Sequence, residues 1–222
     1  MRVTHGTRRR ALLAGALALP LALVAPPAVL LVPLLVALVV WFNRDPSRTP
    51  PAEGFVAPAD GRVSVVREEE HDPEPRIRVG VFMNVTDVHV NRAPAPCTVE
   101  SIEHTPGRHL PAFTKESDRN ERVRIDCGAY EMSLIAGAVA RRIHPLVEPG
   151  EALDRGDRVG HITLGSRADV LFPPEVSISD VRVERGETVR IPRWHGHELE
   201  LSGSLIVDAD QLDDEQEGDD GA

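Results

Sequence analysis

Three short stretches of the chain carry side chains whose types and spacing could do chemistry. Pro58-Ala59-Asp60-Gly61 sets an acid in a tight turn that feeds an apolar run. The run Phe82-Met83-Asn84-Val85-Thr86-Asp87-Val88-His89-Val90-Asn91-Arg92-Ala93-Pro94 spaces Asp87, His89 and Asn91 two apart, which puts them on one face of an extended segment. Leu164-Gly165-Ser166-Arg167 offers a hydroxyl after a turn-rich stretch. A serine hydroxyl is a weak nucleophile that needs a base, and the base needs a group to orient it. Asp60, His89 and Ser166 are the acid, the imidazole and the hydroxyl that these stretches offer. Taken singly they are ordinary: Asp-Gly turns punctuate loops, and His beside Asp is a common surface pair. No GxSxG elbow surrounds Ser166, so an ordinary serine hydrolase is the weaker reading of the set.

The elements that must position these residues are short strands. Arg62–Val66, Arg76–Met83, Thr98–Ile102, Arg122–Asp126 and Tyr130–Ile135 are rich in Val and Ile and bounded by turn residues. Val159–Thr163, Val176–Val183 and Leu199–Val207 follow, the second alternating with period two. Beyond Pro50 no segment sustains helical periodicity over three turns. The expected fold class is mainly β, a compact barrel-sandwich-like domain.

The N-terminus is of a different kind. Ala11 to Phe42 is 32 residues without a charge, split by Pro26-Pro27 and flanked by Arg8, Arg9 and Arg10 before it and Arg44 and Arg48 after it. One membrane span needs roughly 20 apolar residues, so the stretch is long for one helix and short for two. Basic flanks at both ends favour a hairpin with the remaining domain in the cytoplasm; a single tilted helix would place it outside. The expectation is an N-terminal apolar membrane hairpin or helix. Residues 1–48 would form the anchor, 49–207 the β-rich domain and 208–222 an acidic, disordered tail.

Composition narrows the partners. The net charge is −10, and Asp208 to Asp220 holds eight acids and no base. No basic cluster lies beyond the N-terminus, which argues against nucleic acid. One lysine, Lys115, stands against 24 arginines; a salt-rich cell interior or a G+C-rich genome would each produce that bias. Cys97 and Cys127 read as buried thiols, with one disulfide as the alternative. No cysteine spacing suggests a metal. His195 and His197 beside Trp194 lack a third ligand, so no metal is expected.

The order in which the stretches occur is more informative than any one of them. WFNRDPSRTP, PADGRV, FMNVTDVHVNRAP, Asn120-Glu121-Arg122, LIAGAVARRI and RGDRVGHITLGSRADV together resemble the phosphatidylserine decarboxylase proenzymes, in their short archaeal and bacterial form, from about Phe42 to Pro173. The resemblance implies a self-processing enzyme that turns the serine head group of a membrane phospholipid into ethanolamine with release of CO2. The lipid would be phosphatidylserine or its ether-linked counterpart, archaetidylserine. It implies attack of the Ser166 hydroxyl on the Gly165 carbonyl, then β-elimination, leaving a β chain 1–165 and an α chain 166–222 that begins with a pyruvoyl group made from Ser166. That ketone is the electron sink which other decarboxylases borrow from pyridoxal phosphate; Lys115 has no context for holding PLP.

By the same resemblance His89 and Asp60 serve Ser166, and His89 moves the proton in decarboxylation. Long-form members carry a second histidine where this chain has Arg92, so either His89 serves both steps or His109 or His144 moves in. Arg92 and Asn91 are the candidates for holding substrate, Arg92 through a bidentate grip on phosphate or carboxylate; a structural role for Arg92 is the alternative. Asn120-Glu121-Arg122 would brace the site or form a buried polar contact. The family also implies an αβ heterodimer that assembles further, at the cell membrane. The competing reading is a non-catalytic membrane-tethered β module that binds a lipid, carbohydrate or protein.

Overall fold

The computed structural model describes residues 2–3, 7, 9–13, 15–16, 31–112, 115–138, 142–162, 165–190, 194–195, 198–199 and 205–207. The chain divides into two compact units, Met1–Ser47 and Arg48–Ala222.

In the first unit, helix α1 spans Leu31–Phe42 and buries none of its residues. Pro33 sits in its first turn, where a missing N–H costs nothing. Asn43 closes its other end, its backbone N–H and its Nδ2 both donating to the Val39 carbonyl at 3.1 and 2.8 Å. Arg2–Val3 pairs with Arg44–Asp45. Among the described residues no helix is long and apolar enough to cross a membrane. Twelve residues at about 1.5 Å each reach little over half the thickness of a bilayer's hydrocarbon core. The expected hairpin or spanning helix is therefore not supported, and its central part, 17–30, lies outside the described residues.

The second unit is mainly β, as the alternation of its segments predicts. Its principal strands are β1 (Gly61–Glu69), β2 (Arg76–Met83), β3 (Val90–Arg92), β4 (Ser101–Thr105) and β5 (Arg122–Asp126). They continue as β6 (Glu131–Ile135), β7 (Ile143–Pro145), β8 (Arg158–Ile162), β9 (Ser166–Leu171) and β10 (Thr188–Val189). Seven of them form one antiparallel sheet in the order β10-β1-β2-β9-β6-β5-β4, and a smaller sheet runs β7-β8-β3. The inner face of the large sheet packs Val79, Val81, Val123, Ile125, Met132, Leu134, Ala168 and Val170 into the core. Phe55 meets Tyr130 and Phe172 edge to face at 5.6 and 5.2 Å between ring centroids.

Two expectations are corrected. Val176–Val183 is not a strand but a run of turns, because Asp180 accepts the backbone N–H and the hydroxyl of Ser177, each at 2.7 Å. Such side chains offer the backbone a local partner that competes with a ladder. The stretch Thr98–Ile102 is broken at Val99, whose N–H and carbonyl turn aside to Glu151 and Gly150. Of Leu199–Val207, only Leu199 and 205–207 are described, in pairs with Trp194 and with Phe55–Val56; the remainder lies outside the described residues.

The middle strand, β9, was not anticipated. All six of its residues are buried. Arg167 and Asp169 make it look amphipathic in sequence, yet they bond to each other on the sheet's outer face at 2.6 and 2.8 Å. Gly80 makes room for this: a side chain there would meet the Asp169 carboxylate at 2.6 Å.

Candidate functional site

Register carries Ser166 to a crowded corner. In the ladder Arg62 faces Phe82, and Phe82 faces Arg167, so Gly61, Met83 and Ser166 follow one another across β1, β2 and β9. Gly61 must lack a side chain because a Cβ there would lie 2.9 Å from the backbone carbon of Phe82. The segment before β1 runs antiparallel beside β3, with the Val56 N–H on the Pro94 carbonyl and the Arg92 N–H on the Pro58 carbonyl, both at 2.9 Å. That run leads Asp60 toward the start of β3. The Ile162 N–H, at the end of β8, reaches the His89 carbonyl at 3.4 Å, four residues before Ser166. Backbone pairing thus brings Asp60, His89 and Ser166 to the same end of the two sheets.

Each of the three is buried. Asp60 is ion-paired with Arg48, both side chains being shielded from water. His89 Nδ1 lies 3.0 Å from the Asp87 carbonyl. A carbonyl can only accept, so the proton of a neutral ring sits on Nδ1 and Nε2 keeps the lone pair that a general base needs. Asp87 itself does not share a strand face with His89 and Asn91. Its carboxylate accepts the Asn84 N–H at 2.7 Å and closes a turn, and the strand begins only at Val90.

Ser166 and Asn91 meet the same sulfur. The Ser166 hydroxyl is 4.0 Å from Met83 Sδ, and Asn91 Nδ2 donates to that sulfur at 3.5 Å. Asn91 is fully buried and its Oδ1 has no hydrogen-bond partner among the described residues. An unsatisfied buried amide oxygen is costly, and this amide shares the Met83 sulfur with the Ser166 hydroxyl. Arg92 is also buried, with Nη1 on the Gly156 carbonyl at 2.8 Å. Gly165 has φ +69°, the left-handed region that glycine tolerates.

The other face of β9 holds charge of a different sort. Arg167 donates to Asp169, to the Ser117 hydroxyl at 2.7 Å, to the Ala112 carbonyl at 3.3 Å and to Asp118 at 3.0 Å. Beyond it Arg67, Glu69 and Arg78 line a polar cavity of about 90 Å³ with Asp118, Arg122 and Asp169. Burial works against the Asp118 charge, but Arg167 and then Arg67 hold its carboxyl below the usual range. Burial likewise opposes the charge on Glu69, and Arg78 and Arg67 outweigh it. Successive strand side chains point to opposite faces, so this network lies across the sheet from the Ser166 hydroxyl and braces the strand that carries it.

The remaining histidines divide. His109 faces Glu121 at 3.7 Å, with His104 on the other carboxylate oxygen at 2.9 Å. His144 stands opposite His161 in the small sheet, the ring centroids 6.0 Å apart. His161 is buried opposite Val90, and sequence reasoning missed it although it lies within the quoted stretch before Ser166. Arg48, a basic flank in the sequence and part of WFNRDPSRTP, is the buried partner of Asp60. Asn120 is a brace: its Nδ2 donates to the Leu110 and Ala136 carbonyls at 2.7 and 2.8 Å, and its Oδ1 accepts the Leu110 N–H at 2.9 Å. The side chains of Trp194, His195 and His197 lie outside the described residues. Among the described residues no group of three His, Cys, Asp or Glu is placed to hold a metal ion.

A family model for phosphatidylserine decarboxylase matches residues 35–194. The chain belongs to the phosphatidylserine decarboxylase family. It is 60% identical over 156 residues to a protein of Halobacterium salinarum named as an archaetidylserine decarboxylase proenzyme, covering 70% of this chain and 78% of that one. A phosphatidylserine decarboxylase proenzyme of Streptomyces avermitilis is 46% identical over 157 residues, with 69% and 70% covered. One of Salinibacter ruber is 43% identical over 168 residues, with 69% and 72% covered. This chain is thus a decarboxylase, and its Asp60, His89, Gly165 and Ser166 all fall inside the matched region of the phosphatidylserine decarboxylase model.

Proposed function

We propose that this decarboxylase cuts itself between Gly165 and Ser166 and then removes CO2 from the serine head group of a membrane phospholipid. The observation that carries the reading is the buried Ser166 hydroxyl behind a left-handed Gly165, at the corner where Asp60 and His89 are also held.

In the cutting step the Ser166 oxygen bonds to the Gly165 carbonyl carbon while the peptide C–N bond breaks, giving an ester and a free amine on residue 166. His89 Nε2 takes the hydroxyl proton, with Nδ1 anchored on the Asp87 carbonyl. Asp60, locked by Arg48, supplies the fixed negative charge that favours an imidazolium nearby. Loss of the α-proton of residue 166 then expels Gly165 as a carboxylate, and water replaces the nitrogen of residue 166, which leaves as ammonia.

The corner fits the resulting pyruvoyl group. The position is buried, lies on the middle strand of a sheet, and has beside it, on the sulfur it shares with Ser166, the Asn91 amide N–H from which a ketone oxygen can accept. When formed, the group supplies the electron sink for the pair released with CO2. The chain's own residues do the rest. Arg167, bonded to Asp169 and Asp118, holds the strand whose first residue carries the group. Asn91 and Arg92 meet the carboxylate and phosphate of the head group. His89 returns a proton to the α-carbon.

The lipid's tails stay in a bilayer, and the apolar helix Leu31–Phe42, with Leu31, Leu34, Leu35, Leu38 and Trp41 exposed, gives the enzyme a surface with affinity for one. On this reading residues 1–48 are the membrane-facing part, 49–207 the catalytic domain, on the cytoplasmic side, and 208–222 an acidic tail. The mature enzyme is an αβ pair that assembles further.

Intact-mass spectrometry of the purified chain tests the first step. Two chains that part between Gly165 and Ser166, the second lacking the ammonia its sequence requires, support the reading. One unbroken 222-residue chain in fresh protein refutes it.

A further inference from the structure

The carbonyl that Ser166 would attack rests on bare backbone. The last ladder pair between β6 and β9 is Ile135 with Arg167, and two residues beyond it Gly137 comes up against Gly165. A methyl group placed on Gly137 would overlap the Gly165 carbonyl oxygen and lie 2.8 Å from its carbon, with Ala112 Cβ 3.4 Å away on another side. The two glycines are needed for different reasons. Gly165 has a left-handed φ and open space around the position of a Cβ, so torsion selects it. Gly137 has no such φ, so space selects it.

The strand end that bears Gly137 is fixed from both sides. The Ala136 N–H donates to the Glu121 carbonyl at 2.9 Å, and the Ala136 carbonyl accepts from Asn120 Nδ2 at 2.8 Å. Asn120 is itself buried and saturated by Leu110. A side chain at Gly137 could not be accommodated by sliding that strand away. It would displace the Gly165 carbonyl instead.

We propose that Gly137 is a positioning residue for self-cleavage, seating the carbonyl oxygen of Gly165 so that the carbonyl carbon stays in reach of the Ser166 hydroxyl. The oxygen gains charge as the carbon becomes tetrahedral, and close Cα–H contact is compatible with that charge where a methyl is not. Displacing a reacting group by about 1 Å costs on the order of 100-fold in rate. The inference rests on the self-cleavage reading above.

The test compares full-length wild type, Gly137→Ala and Gly160→Ala. The last crowds the core without touching Gly165: its Cβ would meet the end of the Leu134 side chain, Cδ1 at 2.5 Å, which can turn aside. The cut fraction is followed over time by intact mass, with thermal melting measured alongside and parallel samples given hydroxylamine, which cleaves an accumulated ester. Wild type and Gly160→Ala should be cut, while Gly137→Ala should be slowed about 100-fold or more with its melting retained and no ester for hydroxylamine to cut. Cleavage of Gly137→Ala at the wild-type rate overturns the inference. So does an ester that accumulates, which would place the block after attack, or slowing no greater than lost stability explains in Gly160→Ala. If Gly137→Ala does not fold, Asn120→Ser frees the same strand end: slowing of about tenfold supports the seat, and a wild-type rate overturns it. An unbroken wild type fells the self-cleavage reading and this inference with it, whereas a cut wild type with an equally cut Gly137→Ala fells this inference alone.

Discussion

Arg48 and Asp60 form an ion pair in which the two side chains are only 2% and 5% exposed. A sequence scan sees a basic residue beside an apolar stretch and an acid in a turn, twelve positions apart. Folding makes them one unit at the entrance to β1. Breaking such a pair from one side strands a charge in a medium that solvates it poorly, and the penalty is about 3–5 kcal/mol. Arg48→Met should therefore lower the free energy of urea unfolding of the uncut Ser166→Ala precursor by an amount of that order. A change below 1 kcal/mol would mean that Asp60 finds other support.

His89→Gln should leave the precursor folded but slow the appearance of the two chains by about 10²–10⁴-fold, the usual contribution of a general base. Time-resolved intact mass reads this directly. Cleavage at the wild-type rate would remove His89 from the first step.

Arg167 invites a comparison of its two acidic partners. Asp169 is 1% exposed and Asp118 is 43% exposed. Arg167→Met abandons both and should cost about 3–5 kcal/mol. Asp118→Asn weakens the half-exposed contacts with Arg167 and Arg67 and leaves the buried Asp169 pair intact, so it should cost about 0–1 kcal/mol. Equilibrium unfolding of the two variants in the Ser166→Ala background checks the ordering, and equal losses would contradict it.

Acid should act on the same face. The Glu69 and Asp118 carboxyls are held below their ordinary 4.5 and 3.8, against the opposing effect of burial, by Arg78 and Arg67 for the first and Arg167 and Arg67 for the second. Their contribution is whole above those ordinary values and is lost as pH falls through the lower folded ones. Glu131 has the opposite sign: burial raises its pKa, so its cost at neutral pH is relieved on acidification. Stability measured by urea from pH 6 downward should fall below about pH 4.5, and the fall should be shallower in a Glu69→Gln, Asp118→Asn variant. An unchanged slope would assign acid sensitivity elsewhere.

Cys97 and Cys127 are free thiols with sulfurs 2.7 Å apart. The Cys127 thiol draws Cys97 down to about 7. Since the thiolate is the reactive form, alkylation of Cys97 by iodoacetamide should show a midpoint near that pH. Cys127→Ala should move the midpoint up toward the ordinary 9.0. A midpoint that stays put would exclude Cys127 as the cause.

How much of this could be read in the sequence depends on where each partner lies. Arg76–Met83 and Arg122–Asp126 were legible to the residue because every second side chain is apolar and faces the core. Ser177 to Val183 alternates as well, but a serine and an aspartate satisfy its backbone locally and it forms turns rather than a strand. β9 failed in the opposite way, its charges looking solvated until the fold paired them. In the corner, Asp60, His89 and Ser166 were visible as motifs. Met83 as the shared neighbour of Ser166 and Asn91, Arg48 as the partner of Asp60, and Gly137 as the seat of Gly165 depend on register between distant strands, which no local pattern encodes.

The place of Ser166 as the first residue of the sheet's middle strand has a consequence for assembly. The proposed cut would release no segment: β2 lies on one side of the new chain and β6 on the other, so two polypeptides would continue to share a single sheet. Folding of the uncut chain is a unimolecular event, whereas re-forming the enzyme from two separated chains would be a bimolecular one. The apparent stability of the cut protein would thus depend on its concentration, while that of the Ser166→Ala precursor would not.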